Sequence, residues 1–225
     1  MLQAGGPLRA NSLYVERAAD RLLLSHLSAG ALCYVLAPRQ MGKSSLIYRT
    51  REQLEARAIQ CVYIDLTLLC GTPDISEEQW YFSLLYEILT GVETSDPTDG
   101  DDWWQKHAGL APRQRFRLFL RQLPVLTHGS VVIFLDELDA LLATRQLNPD
   151  GFLTLLRGVH SDDARRTGEK KDRAADGAPL PFGLTFCLAG LAAPTDLISN
   201  PWLTPMNTLQ IIPLVDFSPN ECSAF

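Results

Sequence analysis

Five short apolar runs constrain this chain more than any other feature: Leu32–Leu36, Cys61–Leu66, Val131–Leu135, Leu184–Leu188 and Leu209–Leu214. Each is continuous rather than alternating, so each would have to bury both of its faces, the signature of strands in a parallel sheet covered by helices. Pro213, inside the last run, has no N–H for a central ladder and predicts an edge strand or an early end.

Helical patterns fill the gaps. One begins at the glycine-lysine turn and runs from Ser44 to Arg57. Ser76 and Gln79 form a capping-box signal ahead of Tyr81, Leu84, Leu85 and Ile88, which repeat at helical spacing. Pro112 opens a third helix carrying Phe116, Phe119, Leu120 and Leu123, and a fourth is expected from Pro149 to about Val159. Strands alternating with helices predict an α/β fold of three layers around a five-stranded parallel sheet. Gly91 to Asp102 reads as an acidic loop, with Asp101 and Asp102 as an N-cap pair for the segment holding Trp103 and Trp104, a pair expected to pack into the core through at least one ring, with a partner surface as the alternative. Residues 161–183 read as a charged loop projecting from a core spanning 1–217. Ser218-Pro219-Asn220-Glu221 is a helix-start signal, so residues 218–225 are expected to begin a helix that continues in a longer polypeptide.

The 225-residue length suits one domain with a sizeable core. No apolar run approaches the roughly 18 residues a membrane span needs, and the N-terminal segment lacks a signal peptide's apolar region. A cytoplasmic location is the expectation. With a net charge of −6 and scattered basic residues, nucleic acid is a disfavoured partner, because phosphate neutralisation supplies most of such affinity. The densest basic run, around Arg165, Arg166, Lys170, Lys171 and Arg173, is interleaved with Asp162, Asp163, Glu169 and Asp172. Cys33, Cys61 and Cys187 sit within apolar runs, and the five cysteines show no CxxC spacing. They read as buried thiols in a reducing compartment, not as disulfides or zinc ligands.

Two segments carry chemistry. Ala37-Pro38-Arg39-Gln40-Met41-Gly42-Lys43-Ser44 follows a strand and precedes a helix, the context in which backbone N–H groups and a helix N-terminus cradle phosphate. Lys43 is the candidate for the β- and γ-phosphates and Ser44 for Mg²⁺. The motif's usual first glycine is Ala37 here, a departure that is harmless only if its φ is negative. The second segment is Val131-Val132-Ile133-Phe134-Leu135-Asp136-Glu137, a buried strand ending in two carboxylates. Asp136 is the candidate magnesium partner, and Glu137 the group that orients or deprotonates a water. Both acids also suit a helix N-terminus, as does Asp139, a weaker alternative metal partner. The strand Cys61–Leu66 between the two segments separates ATPases with a catalytic glutamate from nucleotide kinases and GTPases.

With these motifs in place, the chain resembles the AAA-like ATPase domain of bacterial multidomain signalling proteins, related to the STAND class and to AAA+ ATPases. Tyr14 to Asp20, Cys33 to Leu36, Arg39 to Leu46, Ile64 to Thr67, Glu78 to Tyr81, Phe134 to Asp139 and Leu184 to Phe186 carry the likeness. It implies the strand order 5-1-4-3-2 and a phosphate loop of Pro38, Arg39, Gln40, Met41, Gly42, Lys43, Ser44 and Ser45. It further implies Tyr14, Val15 and Arg17 as adenine contacts, with a staple of the helix start against Leu22 and Leu23 as the alternative. The lid domain of relatives lies beyond Phe225 or does not exist.

The resemblance also marks departures. Residues 199–206 contain no arginine or lysine where relatives carry a finger, a group worth roughly 10³ to 10⁵ in rate. Arg39 either compensates in part or forms a salt bridge across the loop. Ala189-Gly190-Leu191 offers no polar sensor, leaving Thr195 or Asp196 as substitutes. The implied function is Mg-ATP binding with slow hydrolysis, as a switch inside a larger signalling or defence protein, with self-association or further domains beyond residue 225 as partners. Rival readings are a non-hydrolysing nucleotide scaffold, a DNA-associated loader or transposition helper, and a small-molecule kinase, the last weakened by the Asp-Glu pair.

Overall fold

The computed structural model describes residues 14–38, 40–71, 74–94, 99–144, 146–169, 182–191 and 209–215. Its strands are β1 (Cys33–Leu36), β2 (Gln60–Asp65), β3 (Val131–Asp136), β4 (Leu184–Gly190) and β5 (Gln210–Pro213). All pair in parallel, in the order β2-β3-β4-β1-β5. Read from the other edge, this is the expected 5-1-4-3-2. The central strands β3 and β4 are buried along their whole length, as continuous apolar runs require. β5 lies at an edge, where Pro213 costs no central ladder bond.

The pleat sends alternate side chains into two cores. On one face Tyr34, Val62, Ile133 and Phe186 meet Trp80, Leu84, Phe116, Phe119 and Phe152. These come from helices α4 (Glu77–Gly91), α6 (Pro112–Thr127) and α7 (Pro149–Glu169). On the other face Val35, Cys61, Phe134 and Cys187 meet Leu23, Leu27, Leu46 and Leu54, from helices α1 (Ala18–Ser28) and α2 (Lys43–Glu55). Two short helices, α3 (Leu66–Leu69) and α5 (Gly100–Lys106), complete the set with a 3-10 turn at Leu138–Ala143. The three thiols Cys33, Cys61 and Cys187 are buried in this second core, and burial pushes Cys33 and Cys61 up to about 12. No helix among the described residues is long and apolar enough to cross a membrane.

The local signals act where expected. Ser76 Oγ accepts from Gln79 N at 3.2 Å, and Pro112 sits in the first turn of α6. Trp104 is buried, its indole N–H donating to Glu78 Oε1 at 2.6 Å. The guanidinium of Arg115 lies 4.9 Å from that ring's centroid. The cap of α5, however, is Asp99, whose Oδ1 accepts from Asp101 N and Asp102 N at 2.9 and 3.1 Å. Asp101 and Asp102 belong to the first turn, where their charge favours the helix dipole.

The larger correction concerns the expected charged loop at 161–183. Residues 161–169 continue α7, which does not end near Val159. Their charges form specific pairs: Arg117 with Asp162 at 2.8 Å, and Arg166 with Asp163 at 3.5 Å. Asp163 is buried, and its Oδ2 accepts from Gly183 N and Leu184 N at 2.8 and 3.0 Å. A carboxylate on the last turns of α7 thus satisfies the first backbone donors of β4. Residues 170–181 and 216–225 lie outside the described residues.

Losing the acceptor for a buried donor costs about 1–3 kcal/mol per group. Asp163→Ala is therefore expected to lower the unfolding free energy by about 2–4 kcal/mol, read as a reduced urea midpoint with an unchanged denaturant slope. A wild-type midpoint would show that the clasp is not holding β4.

Candidate functional site

The chain leaves β1 at Leu36, and Ala37 N donates to Gly190 O at the end of β4 at 3.3 Å. Positive φ occurs in this loop at Gln40 and Gly42, with values of 65° and 86°, and not at Ala37. An alanine in the motif's first position is therefore free of backbone strain. Gly42 is the N-cap of α2, its carbonyl accepting from Leu46 N at 3.0 Å. A Cβ on Gly42 would stand 3.1 Å from the guanidinium of Arg17 in addition to its positive φ. Of the expected loop residues, Pro38, Gln40 and Ser44 are exposed, Met41 is half-buried and Ser45 is buried. Arg39 lies outside the described residues.

Lys43 is buried, and its ammonium lies 2.7 Å from Asp136 Oδ1 and 2.8 Å from Glu137 Oε1. Strand β4 separates β1 from β3 in the sheet, so this contact joins segments that follow two non-adjacent strands. Burial pulls the ammonium down, but the two carboxylates outweigh it and hold Lys43 above its ordinary value. While its carboxylate partners are ionised, the charge on Lys43 therefore stabilises the fold fully below the ordinary lysine value and loses its effect as pH rises through the raised one.

Asp136 is almost fully buried, and among the described residues three donors share its carboxylate. Oδ1 takes Lys43 and, at 2.8 Å, Glu137 N. Oδ2 takes the hydroxyl of Tyr63 at 3.0 Å. Burial first, and then the charge of Asp136, push the Tyr63 hydroxyl above the ordinary phenol range, which keeps it a donor. Glu137 stands at φ 54°, in the left-handed region, as the cap of the 3-10 turn, with its side chain one-third exposed. Asp139 is engaged elsewhere: its Oδ2 accepts from Leu191 N at 2.7 Å and would be 2.8 Å from a Cβ on Gly190. That bond ties the 3-10 turn to the end of β4.

The segment ahead of α1 reaches the loop from the second core. Arg17 is buried, and its guanidinium donates to Met41 O at 2.9 Å. Its backbone N–H donates to Asp20 Oδ2 at 2.8 Å, and the Tyr14 hydroxyl donates to the other oxygen of Asp20. The Tyr14 ring lies 5.0 Å from the guanidinium of Arg49 on α2, and Val15 is half-buried. Polar contacts to Asp20 hold the helix start, and of the two leucines named for a staple Leu22 is exposed and Leu23 is buried. Thr195, Asp196 and residues 199–206 lie outside the described residues.

Sequence reasoning missed Tyr63. What finds it is the register of β2 on β3, which sets Asp65 opposite Asp136. Tyr63, two residues earlier, shares the face of Asp136 and sits diagonally from it.

The family model of the AAA-like domain matches residues 3–173. The chain belongs to this AAA-like family. It is 36% identical over 222 residues to an uncharacterized WD repeat-containing protein of Synechocystis sp., covering 97% of this chain but 17% of that protein. The chain therefore spans about a sixth of the length of the curated relative it matches. Among solved structures it is similar to the Walker-type ATPase of Pyrococcus abyssi, with a TM-score of 0.59, 18% identity and coverage of 97% of this chain and 58% of that one. It is also similar to the ORC2 protein of Aeropyrum pernix, with a TM-score of 0.53, 19% identity and coverage of 92% and 48%. At these identities the likeness establishes the fold, that of P-loop ATPases.

Removing one partner of a buried ion pair typically costs about 3–5 kcal/mol, because the other charge is left stranded. Lys43→Met is expected to lose stability on that scale in thermal or urea unfolding. Adding Asp136→Asn to it should restore much of the loss, which a merely local packing defect at position 43 would not permit.

Proposed function

We propose that this domain binds Mg-ATP and hydrolyses it slowly, serving as a nucleotide-dependent switch within a larger protein. The observation that carries the reading is the meeting of the Lys43 ammonium with Asp136 and Glu137 at the ends of two non-adjacent strands, beside a strand-loop-helix turn. A purely structural ion pair has no need of the exposed Ser44, the left-handed Gly42 or the left-handed Glu137 beside it.

The donor set fits magnesium. Ser44 offers a hydroxyl and Asp136 a carboxylate, both hard oxygen ligands, and the carboxylates already hold one cation, the Lys43 ammonium. Bound Mg²⁺ would neutralise phosphate charge as it develops. The backbone of residues 38–45 and the N-terminus of α2 bind the phosphates. Arg17 braces the loop through Met41 O, and Tyr14 and Val15 are the contacts proposed for the base. Lys43 exchanges its carboxylate partners for the β- and γ-phosphates. That exchange releases Glu137 to orient or deprotonate the attacking water.

Slow turnover follows from residues 199–206, which lack a cation to stabilise the transferred phosphoryl group. Arg39, a second copy of the chain or another domain of the same polypeptide is the source of that charge in this reading. Since ATP and ADP shift an equilibrium only by binding two states differently, the exchange at Lys43 is the contact that distinguishes them.

Phosphate release and binding of a fluorescent ATP analogue test the proposal together. Lys43→Ala is expected to abolish measurable binding. Glu137→Gln is expected to bind as tightly as wild type while releasing phosphate about 10²- to 10⁴-fold more slowly. Equal release by wild type and Glu137→Gln would remove the hydrolytic role and leave a nucleotide-binding scaffold.

A further inference from the structure

Among the described residues Asp136 is held by three donors, and in the proposed function one of them is committed elsewhere once phosphate binds. Lys43 serves Oδ1 at 2.7 Å and is the group that the proposed function moves to the phosphates. What remains on the carboxylate, among the donors described, is the Glu137 backbone N–H on Oδ1 at 2.8 Å and the Tyr63 hydroxyl on Oδ2 at 3.0 Å. The backbone donor fixes one oxygen, and a carboxylate fixed at one oxygen still rotates about that contact. Tyr63 is the side chain that fixes the second.

The position of Tyr63 is itself well determined. It is on β2, diagonal to Asp136 across a register that runs from Gln60↔Val131 to Asp65↔Asp136. The guanidinium of Arg51 lies 5.8 Å from the centre of its ring, and Arg51 in turn pairs with Glu55 on α2 at 3.5 Å. The neighbouring Asp65 is engaged with Thr67, accepting from its N and Oγ1 at 2.9 and 2.6 Å. Tyr63 thus brings a neutral donor from the outermost strand of the sheet to a carboxylate that is 2% exposed.

We infer that Tyr63 is the positioning residue that keeps the Asp136 carboxylate aimed at the metal of Mg-ATP after Lys43 has turned to the phosphates. This inference rests on the proposed function and deepens it. With Oδ2 anchored by the phenol, the carboxylate would keep a constant direction toward a bound Mg²⁺. Tyr63→Phe removes the anchor but keeps the ring beside Arg51. Outer-sphere partners of this kind alter metal affinity by about 10- to 100-fold.

The test measures binding of a fluorescent ATP analogue to the full-length protein across a Mg²⁺ titration and again in EDTA, for wild type, Tyr63→Phe and Lys43→Ala. Tyr63→Phe is expected to raise the Mg²⁺ midpoint about tenfold or more, with affinity in EDTA within about twofold of wild type and thermal unfolding still cooperative. It should also lower kcat at subsaturating Mg²⁺, with recovery at high Mg²⁺. An unchanged midpoint overturns the inference and leaves the ATPase reading intact, as does an equal loss of affinity in EDTA, which marks a general structural role. Wild type that binds no nucleotide with or without Mg²⁺ overturns the ATPase reading, and this inference with it.

Discussion

The arrangement depends on one cation reaching across a strand. Lys43 starts α2 just after β1, whereas Asp136 and Glu137 end β3, and β4 lies between. The ammonium draws the ends of these strands into one cluster at 2.7 and 2.8 Å. Burying an amine and a carboxylate costs several kcal/mol each in lost hydration, recovered only when geometry and hydrogen bonding are good. Here the recovery comes from the second carboxylate, the Glu137 N–H and the Tyr63 hydroxyl. A site assembled this way is responsive, because any anion that competes for the ammonium alters every partner of Asp136 together.

Much of the fold was legible because its strands are buried on both sides. Val131–Asp136 and Leu184–Gly190 present apolar residues to two cores at once, so their runs are unbroken and their lengths nearly correct. The order of the sheet came from family resemblance, since periodicity says which segments are strands but not which strands are neighbours. Misreadings fell where charge was taken as a mark of solvation. In residues 161–169 the charges are the helix's own fastenings: Asp163 turns inward to the backbone of β4, and Asp162 pairs with Arg117 on α6. Composition cannot separate a solvated aspartate from one that caps a strand twenty residues away.

The candidate site divides along the same line. Lys43, Asp136 and Glu137 were readable because each sits at a strand or helix boundary whose chemistry is local. The roles of Tyr63 and Asp139 depend on register and on contacts between distant segments, which a linear pattern does not encode. Arg17 falls between the two. The resemblance implied it as an adenine contact, whereas its bond to the Met41 carbonyl is a feature of three-dimensional packing.

The central strand β4 is clasped by acids at both extremities. Asp163 of α7 grips the backbone at Gly183 and Leu184, and Asp139 grips it at Leu191. A strand secured fore and aft has no freedom to slide along its neighbours. Rearrangement above it must come from the turns at its tip, pivoting on an axle that stays in place.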